Sequence, residues 1–273
     1  MKVKSNWSSK ISPLLLLMLF AISGNGWAQA FRIPEKKPGD EKKQPEVKAA
    51  PAAAAAVKDS FPDNPTPTPQ IKNIKVVSEM DDGKGNFVRT VQYTKGSMLI
   101  TETVIKPKSA LAKIGLHVPI NPDTLDKKQI HLVVDKSNYS LKVLYKKRAI
   151  RMYRVTFGPQ PKQNKCMEGD RCTPEGSFTI TNLNPRSMYN KFMLISYPDE
   201  TSWARFNQLK KEGKIPASAK IGGAIGIHGI WSGGDQLIDL GVGWTDGCVA
   251  LKNKDVDDLY RLVGIGSKVT ITQ

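Results

Sequence analysis

The segment GWTDGCVALKN, residues 243–253, sets Cys248 in a glycine-flanked turn just ahead of an apolar stretch, and GIHGI, residues 226–230, sets His228 about twenty residues before it. A cysteine attacks a carbonyl as its thiolate, so it needs an imidazole or a helix N-terminus nearby to lower its pKa. The chain offers both: His228 at the end of a predicted strand, and a predicted helix beginning near Lys254. Gly247 permits a sharp turn and close substrate approach, and the N–H groups of Gly247 and Cys248 are candidates to line an oxyanion hole. The same spacing also suits a buried inert cysteine beside a packed histidine, and spacing alone leaves both open.

The compartment decides how a thiol is read, and the N-terminus speaks to it. Lys2, Lys4 and Lys10 precede an apolar run over 14–22, and Ala28-Gln29-Ala30 supplies small residues for cleavage, so residues 1–30 read as a signal peptide. The rival is an uncleaved anchor, but the run falls short of the roughly twenty apolar residues that span a bilayer. No later segment is long and apolar enough to cross. A secreted protein is therefore expected, periplasmic or wall-associated, with no membrane span after cleavage. In such a compartment Cys166 and Cys172, which bracket MEGDR in a loop between strands, are expected to form a disulfide. Metal binding is the competing use, but no cluster of histidines or further cysteines completes a site, and no metal is expected. Cys248 is then the odd thiol, and reactivity explains an odd thiol.

The chain has 273 residues and a formal charge of +16. A basic secreted protein suits an anionic cell wall. Nucleic acid is the usual other partner for such charge, yet no nucleic-acid module is recognisable and none is expected to bind. Much of the lysine also reads as ordinary solvated surface.

The elements that must position the two residues follow from the patterning. Residues 31–70, rich in Pro, Ala, Lys and Glu, lack the periodicity of a core and read as a disordered linker. Residues 71–106 hold three β-branched runs separated by DDGKGN and KGS, which predicts a small antiparallel meander with no assignable role. A second linker is expected over 107–127. From 128 to 273, strands are predicted at QIHLVVD, YSLKVLYK, AIRMYRVTFG, GSFTITN, KFMLISY, AIGIHGI and SKVTITQ. Helices are predicted over 202–212 and over 254–263, the latter with Asn253 as N-cap, and 235–243 reads as a loop setting the distance between His228 and Cys248. Many short strands with two modest helices imply a mainly β, sandwich-like domain rather than a parallel βαβ sheet.

The string from His228 through Thr245, Gly247 and Cys248 resembles the signature of the L,D-transpeptidase (YkuD-type) catalytic domains: histidine-glycine, an intervening stretch, then Ser/Thr-x-Gly-Cys and an apolar residue. EGDRCTPEGSFTI, residues 168–180, is similar to a second motif of that family. The resemblance covers about residues 128–273. It implies acyl transfer on peptidoglycan stem peptides, with Cys248 as nucleophile, His228 as general base and then acid, and the Gly247 and Cys248 amides on the oxyanion. An amine from a second stem would resolve the thioester into a crosslink, and no cofactor is implied.

The chain departs from the family pattern at two places. Its motif is TDGC, with Asp246 where histidine is common, and Ala250 stands where an arginine is often found. Asp246 is a candidate to orient His228, to form part of the acceptor pocket, or simply to cap the turn. The lost guanidinium removes a clamp for a substrate carboxylate, and Arg205 is the candidate replacement. Thr245, Trp231 and Trp244 are further candidates for substrate contact, although tryptophans in glycine-rich loops often pack the loop down. His117 and His131 stand apart and read as structural. The alternative functions are an L,D-carboxypeptidase or amidase, with water as acceptor and a wall-attached protein as a further partner, or an inactive wall-binding module.

Overall fold

The computed structural model describes residues 71–108 and 114–273. The expected signal peptide, the linker over 31–70 and residues 109–113 of the expected second linker lie outside them. Three antiparallel strands come first, β1 (Ile71–Asp81), β2 (Asn86–Lys95) and β3 (Met98–Pro107), in the order β1-β2-β3. Asp82 shapes the first turn by accepting hydrogen bonds from the N–H groups of Lys84 and Asn86, at 2.7 and 2.9 Å. Two short 3-10 turns, Pro122–Thr124 and Lys127–Gln129, lead into the main sheet.

That sheet is built from β4 (Ile130–Asp135), β5 (Ser140–Tyr145), β6 (Arg148–Arg154), β7 (Gly176–Ser187), β8 (Asn190–Ile195), β9 (Gly226–His228), β10 (Val249–Ala250) and β11 (Lys268–Thr272). Its order is β10-β9-β8-β7-β11-β4-β5-β6. Most pairs are antiparallel, but β11 runs parallel to β4 and β10 parallel to β9. The long β7 pairs with β11 through its first residues and with β8 from Ile180 onward, so it belongs to both halves of the sheet. Leu132, Val134, Leu141 and Val143 from one half and Ile195, Ile227 and Val249 from the other share one core. Each fully buried aliphatic side chain contributes about 1.5–3 kcal/mol. The architecture is mainly β, as the alternating strand patterns imply.

Helix α1 (Glu200–Lys211) starts at Asp199, whose carboxylate accepts from the Ser202 N–H at 2.8 Å. Helix α3 (Asn253–Leu262) drives Val256, Leu259 and Leu262 into the core at helical spacing. Two expectations change here. Asn253 is not the cap of α3: its side-chain oxygen accepts from the Ile230 N–H at 3.1 Å, and Lys252 precedes the helix with no side-chain cap. Residues 235–243 are not a plain loop but begin with helix α2 (Asp235–Leu240), which buries Leu237, Ile238 and Leu240 and ends at left-handed Gly241. Six residues give too little periodicity to identify a helix from sequence.

Candidate active site

The two candidate residues lie at the edge of the main sheet, His228 on β9 and Cys248 just before the neighbouring β10. Ala250 lies opposite His228 in the parallel pairing of β10 with β9. Cys248 immediately precedes β10. The Cys248 sulfur accepts from the Gly226 N–H at 3.4 Å, and Gly226 is two residues before His228 on the same strand.

The imidazole is held on every side. Its Nδ1 lies 2.7 Å from the carbonyl oxygen of Gly229. A carbonyl only accepts, so Nδ1 carries the proton and Nε2 keeps its lone pair. Tyr189 and Phe192 stack on the ring with centroids 5.0 and 5.8 Å away, and Trp244 meets it edge-on at 5.4 Å. His228 is 3% exposed, and burial pulls it down to about 4 against the opposing pull of the Gly229 carbonyl. Burial likewise pushes the half-buried Cys248 thiol up to about 11; the Gly226 N–H works against this shift and the Asp246 charge adds to it. The resting pair is thiol and neutral imidazole.

The turn that carries Cys248 is fixed from within. Thr245 donates from its hydroxyl to the Cys248 carbonyl at 2.7 Å and accepts from the Gly247 N–H at 3.3 Å. The Gly247 amide, expected on an oxyanion, is therefore already engaged, while the Cys248 N–H has no acceptor among the described residues. Gly247 sits at φ +131°, and a Cβ there would come 2.6 Å from the Cys172 carbonyl oxygen. Only glycine fits that approach.

Cys172 is pressed there by an ordered loop. Lys136, essentially buried, donates to the carbonyl oxygens of Gln163 and Thr173 and to the Glu175 carboxylate at 2.6 Å. Asp170 accepts from the N–H groups of Cys166, Met167 and Cys172 and from Lys165. Burial alone would raise its carboxyl, but those donors hold it below the ordinary range.

The disulfide expected in this loop is absent here: Cys166 and Cys172 are both free thiols. Their sulfurs face different partners. Cys166 lies 3.6 Å from two guanidinium nitrogens of Arg205, and Cys172 lies 3.3 Å from the Asp170 carbonyl oxygen. Arg205 itself donates to the Lys165 carbonyl at 2.7 Å and lines a cavity of about 290 Å³ with Tyr197, Ser202 and Lys165; neither Cys248 nor His228 borders it. Asp246 does not touch His228. It is exposed and pairs with Arg171, Nε to Oδ1, at 3.0 Å. Thr245 and Trp244, candidates for substrate contact, are buried in the wall of the site, and half-buried Trp231 packs edge-on to Trp244 at 4.9 Å. Ala250 is fully buried and exchanges backbone hydrogen bonds with Thr156. His131 bonds Thr270 at 2.8 Å and His117 lies 3.9 Å from Asp258, both away from the pair.

Sequence reasoning passed over Arg171, Tyr189 and Phe192. Arg171 stood in plain view inside the EGDRCTPEG string, while Phe192 reaches His228 through the pairing of β8 with β9 and Tyr189 from the turn between β7 and β8. Among the described residues no three His, Cys, Asp or Glu side chains gather into a metal site, and no helix is long and apolar enough to cross a membrane.

A family model described as the YkuD L,D-transpeptidase catalytic domain matches residues 129–271, just over half of the chain. Among solved structures, an L,D-transpeptidase from Stackebrandtia nassauensis is similar at 16% identity, covering 55% of this chain and 58% of that one with a TM-score of 0.35. The helical cell shape determining protein Pgp2 from Campylobacter jejuni is similar at 20% identity, covering 60% and 52%, with a TM-score of 0.41. An L,D-transpeptidase from Mycobacterium tuberculosis is similar at 14% identity, covering 67% and 66%, with a TM-score of 0.34. The chain spans a little over half the length of the first two. A search of curated proteins found no match.

Proposed function

This chain belongs to the L,D-transpeptidase catalytic domain family, and on that premise we propose that it is a cysteine acyltransferase acting on peptidoglycan stem peptides through a thioester on Cys248. The observation that carries this reading is the pairing of β10 with β9, which brings Cys248 beside the strand of His228 with its sulfur 3.4 Å from the Gly226 N–H, and the Nδ1 of His228 committed to the Gly229 carbonyl.

In this mechanism His228 Nε2 takes the Cys248 proton as the sulfur attacks the carbonyl of the stem's L,D-peptide bond. Because burial favours the neutral forms of both groups, proton transfer accompanies attack rather than preceding it. The imidazolium formed is met by the π faces of Tyr189 and Phe192, which favour a cation. The Cys248 N–H, without another acceptor, is the donor for the oxyanion. His228 then returns the proton to the leaving amine, which departs as the terminal D-residue. The thioester is left for an amine of a second stem, forming a crosslink with loss of the thiol ester and recovery of the Cys248 S–H.

Export to the periplasm or wall, as the N-terminal pattern suggests, would bring the chain to this substrate. The test is the intact mass of residues 31–273 after incubation with purified tetrapeptide muropeptides, beside Cys248→Ala, with products separated and weighed. A thiol-dependent adduct and a crosslinked dimer are expected. Loss of the terminal residue without a dimer would move the assignment to an L,D-carboxypeptidase, and neither adduct nor product would reject it.

A further inference from the structure

A stem peptide that ends in a D-residue carries its terminal carboxylate on the order of 4 Å from the carbonyl carbon under attack, since one nitrogen and one Cα separate the two. A cation that recognises this carboxylate must therefore stand on or beside the turn that carries Cys248. Ala250, where a guanidinium would serve, is fully buried, and Arg205 is engaged with the Lys165 carbonyl and the Cys166 sulfur. Among the described residues one cation hydrogen-bonds to the turn over 244–248, and it is Arg171.

Arg171 is fitted to that turn through its backbone as well as its side chain. A Cβ on Gly158 would come 2.0 Å from the Arg171 carbonyl oxygen and 2.9 Å from that of Thr245, so a bare glycine lets the two segments close on each other. Cys172, the next residue, sets its carbonyl oxygen against Gly247, the neighbour of Cys248. Arg171 itself sits at φ +56°, a conformation that residues other than glycine rarely adopt and that clusters at ligand clamps and active sites. Its Nε donates to Asp246 Oδ1 at 3.0 Å and its Nη2 to the Trp244 carbonyl at 3.5 Å, while Nη1 has no acceptor among the described residues. The side chains of Arg171 and Asp246 are 36% and 83% exposed, so the pair lies where a ligand reaches it and where an ion pair holds only weakly. A guanidinium is a planar fork with donors on both edges, and Asp246 occupies the edge that carries Nε.

We propose that Arg171 is the substrate-binding residue for the terminal carboxylate of the stem peptide, taking it on the Nη1 edge while Asp246 holds the Nε edge. This inference rests on the reading of Cys248 as the nucleophile toward a stem peptide. The planar fork meets a carboxylate in two parallel hydrogen bonds, which a lysine ammonium does not reproduce. Asp246 aims the fork and takes no part in moving the His228 proton. In a merely structural role, loss of Arg171 would loosen the turn and weaken every ligand alike, whatever its terminal group.

The experiment sets a tetrapeptide muropeptide against the same compound with its terminal carboxylate converted to a carboxamide. KM and kcat are read on the full chain, and Kd is read by calorimetry on Cys248→Ala, which turns nothing over. Arg171→Ala is expected to raise KM and Kd for the free acid about tenfold to a hundredfold and to change those for the carboxamide less than twofold. Arg171→Lys should recover part of the loss. An equal effect on both compounds, or free-acid binding that Arg171→Ala leaves unchanged, would overturn the proposal. If Arg171→Ala does not fold, Arg171→Asn decides in its place, because asparagine tolerates a positive φ. Turnover that ignores the terminal group leaves the functional reading standing and removes the clamp. Binding without turnover in the wild type does the reverse: the functional reading fails, and the two Kd values decide the clamp.

Discussion

The Nδ1 of His228 lies 2.7 Å from the carbonyl oxygen of Gly229, the next residue in the chain, so the tautomer needed for a base at Nε2 is set by the backbone itself. No neighbouring carboxylate is required for it. Cys248→Ala is expected to remove all thioester formation, and His228→Ala to lower turnover by roughly 10²–10⁴ at neutral pH. Mass spectrometry of the adduct checks the first, and steady-state rates on muropeptides the second. Retained turnover in Cys248→Ala would sink the mechanism.

The neutral resting pair predicts an unusual alkylation profile. With burial pushing Cys248 up to about 11, its reaction with iodoacetamide should keep rising with pH through the range 7–10. A pre-formed thiolate and imidazolium would instead give a rate already levelled at neutral pH. Rates measured at half-unit intervals on Cys166→Ser/Cys172→Ser, which leaves a single thiol, separate the two.

Burial of neutral His228 also predicts a loss of stability in acid. Its folded value of about 4 lies below the ordinary 6.5, so between these limits the unfolded chain binds more protons. Stability should therefore fall as pH drops from 6.5 toward 4, by at most about 3 kcal/mol from this group, and change no further below. Urea unfolding of wild type and His228→Gln across pH 4–7 measures it. Equal slopes in the two proteins would contradict the assignment.

Lys106 has the same sign in a different window. Burial pulls its amine down to about 7, helped by Arg154 and Arg89, and its Nζ has no hydrogen-bond partner among the described residues. Its protonation is a penalty carried in full below pH 7 and relieved as pH rises toward 10.5. Lys106→Met should thus stabilise the chain more at pH 6 than at pH 10. The comparison of melting temperatures at those two values checks it, and a gain that is the same at both would count against the shift.

Gly247→Ala should be among the most damaging single changes in the nucleophile turn. It puts an L side chain at φ +131° and drives a Cβ against the Cys172 carbonyl oxygen. A cost of roughly 1–3 kcal/mol is expected, together with loss of turnover beyond what the melting temperature accounts for. Near-normal kcat would mean that the turn is not held as described.

Cys166→Ser/Cys172→Ser should keep turnover within about twofold, because neither sulfur contacts Cys248 or His228, while the buried position of Cys172 lowers stability by about 1–3 kcal/mol. Loss of turnover at unchanged stability would give these thiols a part in the chemistry.

The legible parts of this chain were those written in local pattern. Alternation in QIHLVVD and YSLKVLYK marks β4 and β5 because one face of each is buried, and the order His228, Thr245, Gly247, Cys248 marks the candidate site because the proposed chemistry needs fixed residue types. What stayed hidden depends on partners distant in sequence. The two residues of β10 have no period to detect, and Asn253 could not be distinguished from a cap until Ile230 appeared beside it. Arg205 was a reasonable substitute for a missing guanidinium, but α1 turns it toward Lys165 and Cys166.

The desolvation of Cys248 has one more effect, on the lifetime of the enzyme. Peroxides and other oxidants attack a thiolate, and a thiol held near 11 is almost wholly S–H at neutral pH. On the proposed mechanism the sulfur is thus shielded from sulfenic acid formation between turnovers and would react only while His228 draws its proton toward a bound carbonyl. A thiol kept dormant in this way would survive among oxidants without being consumed.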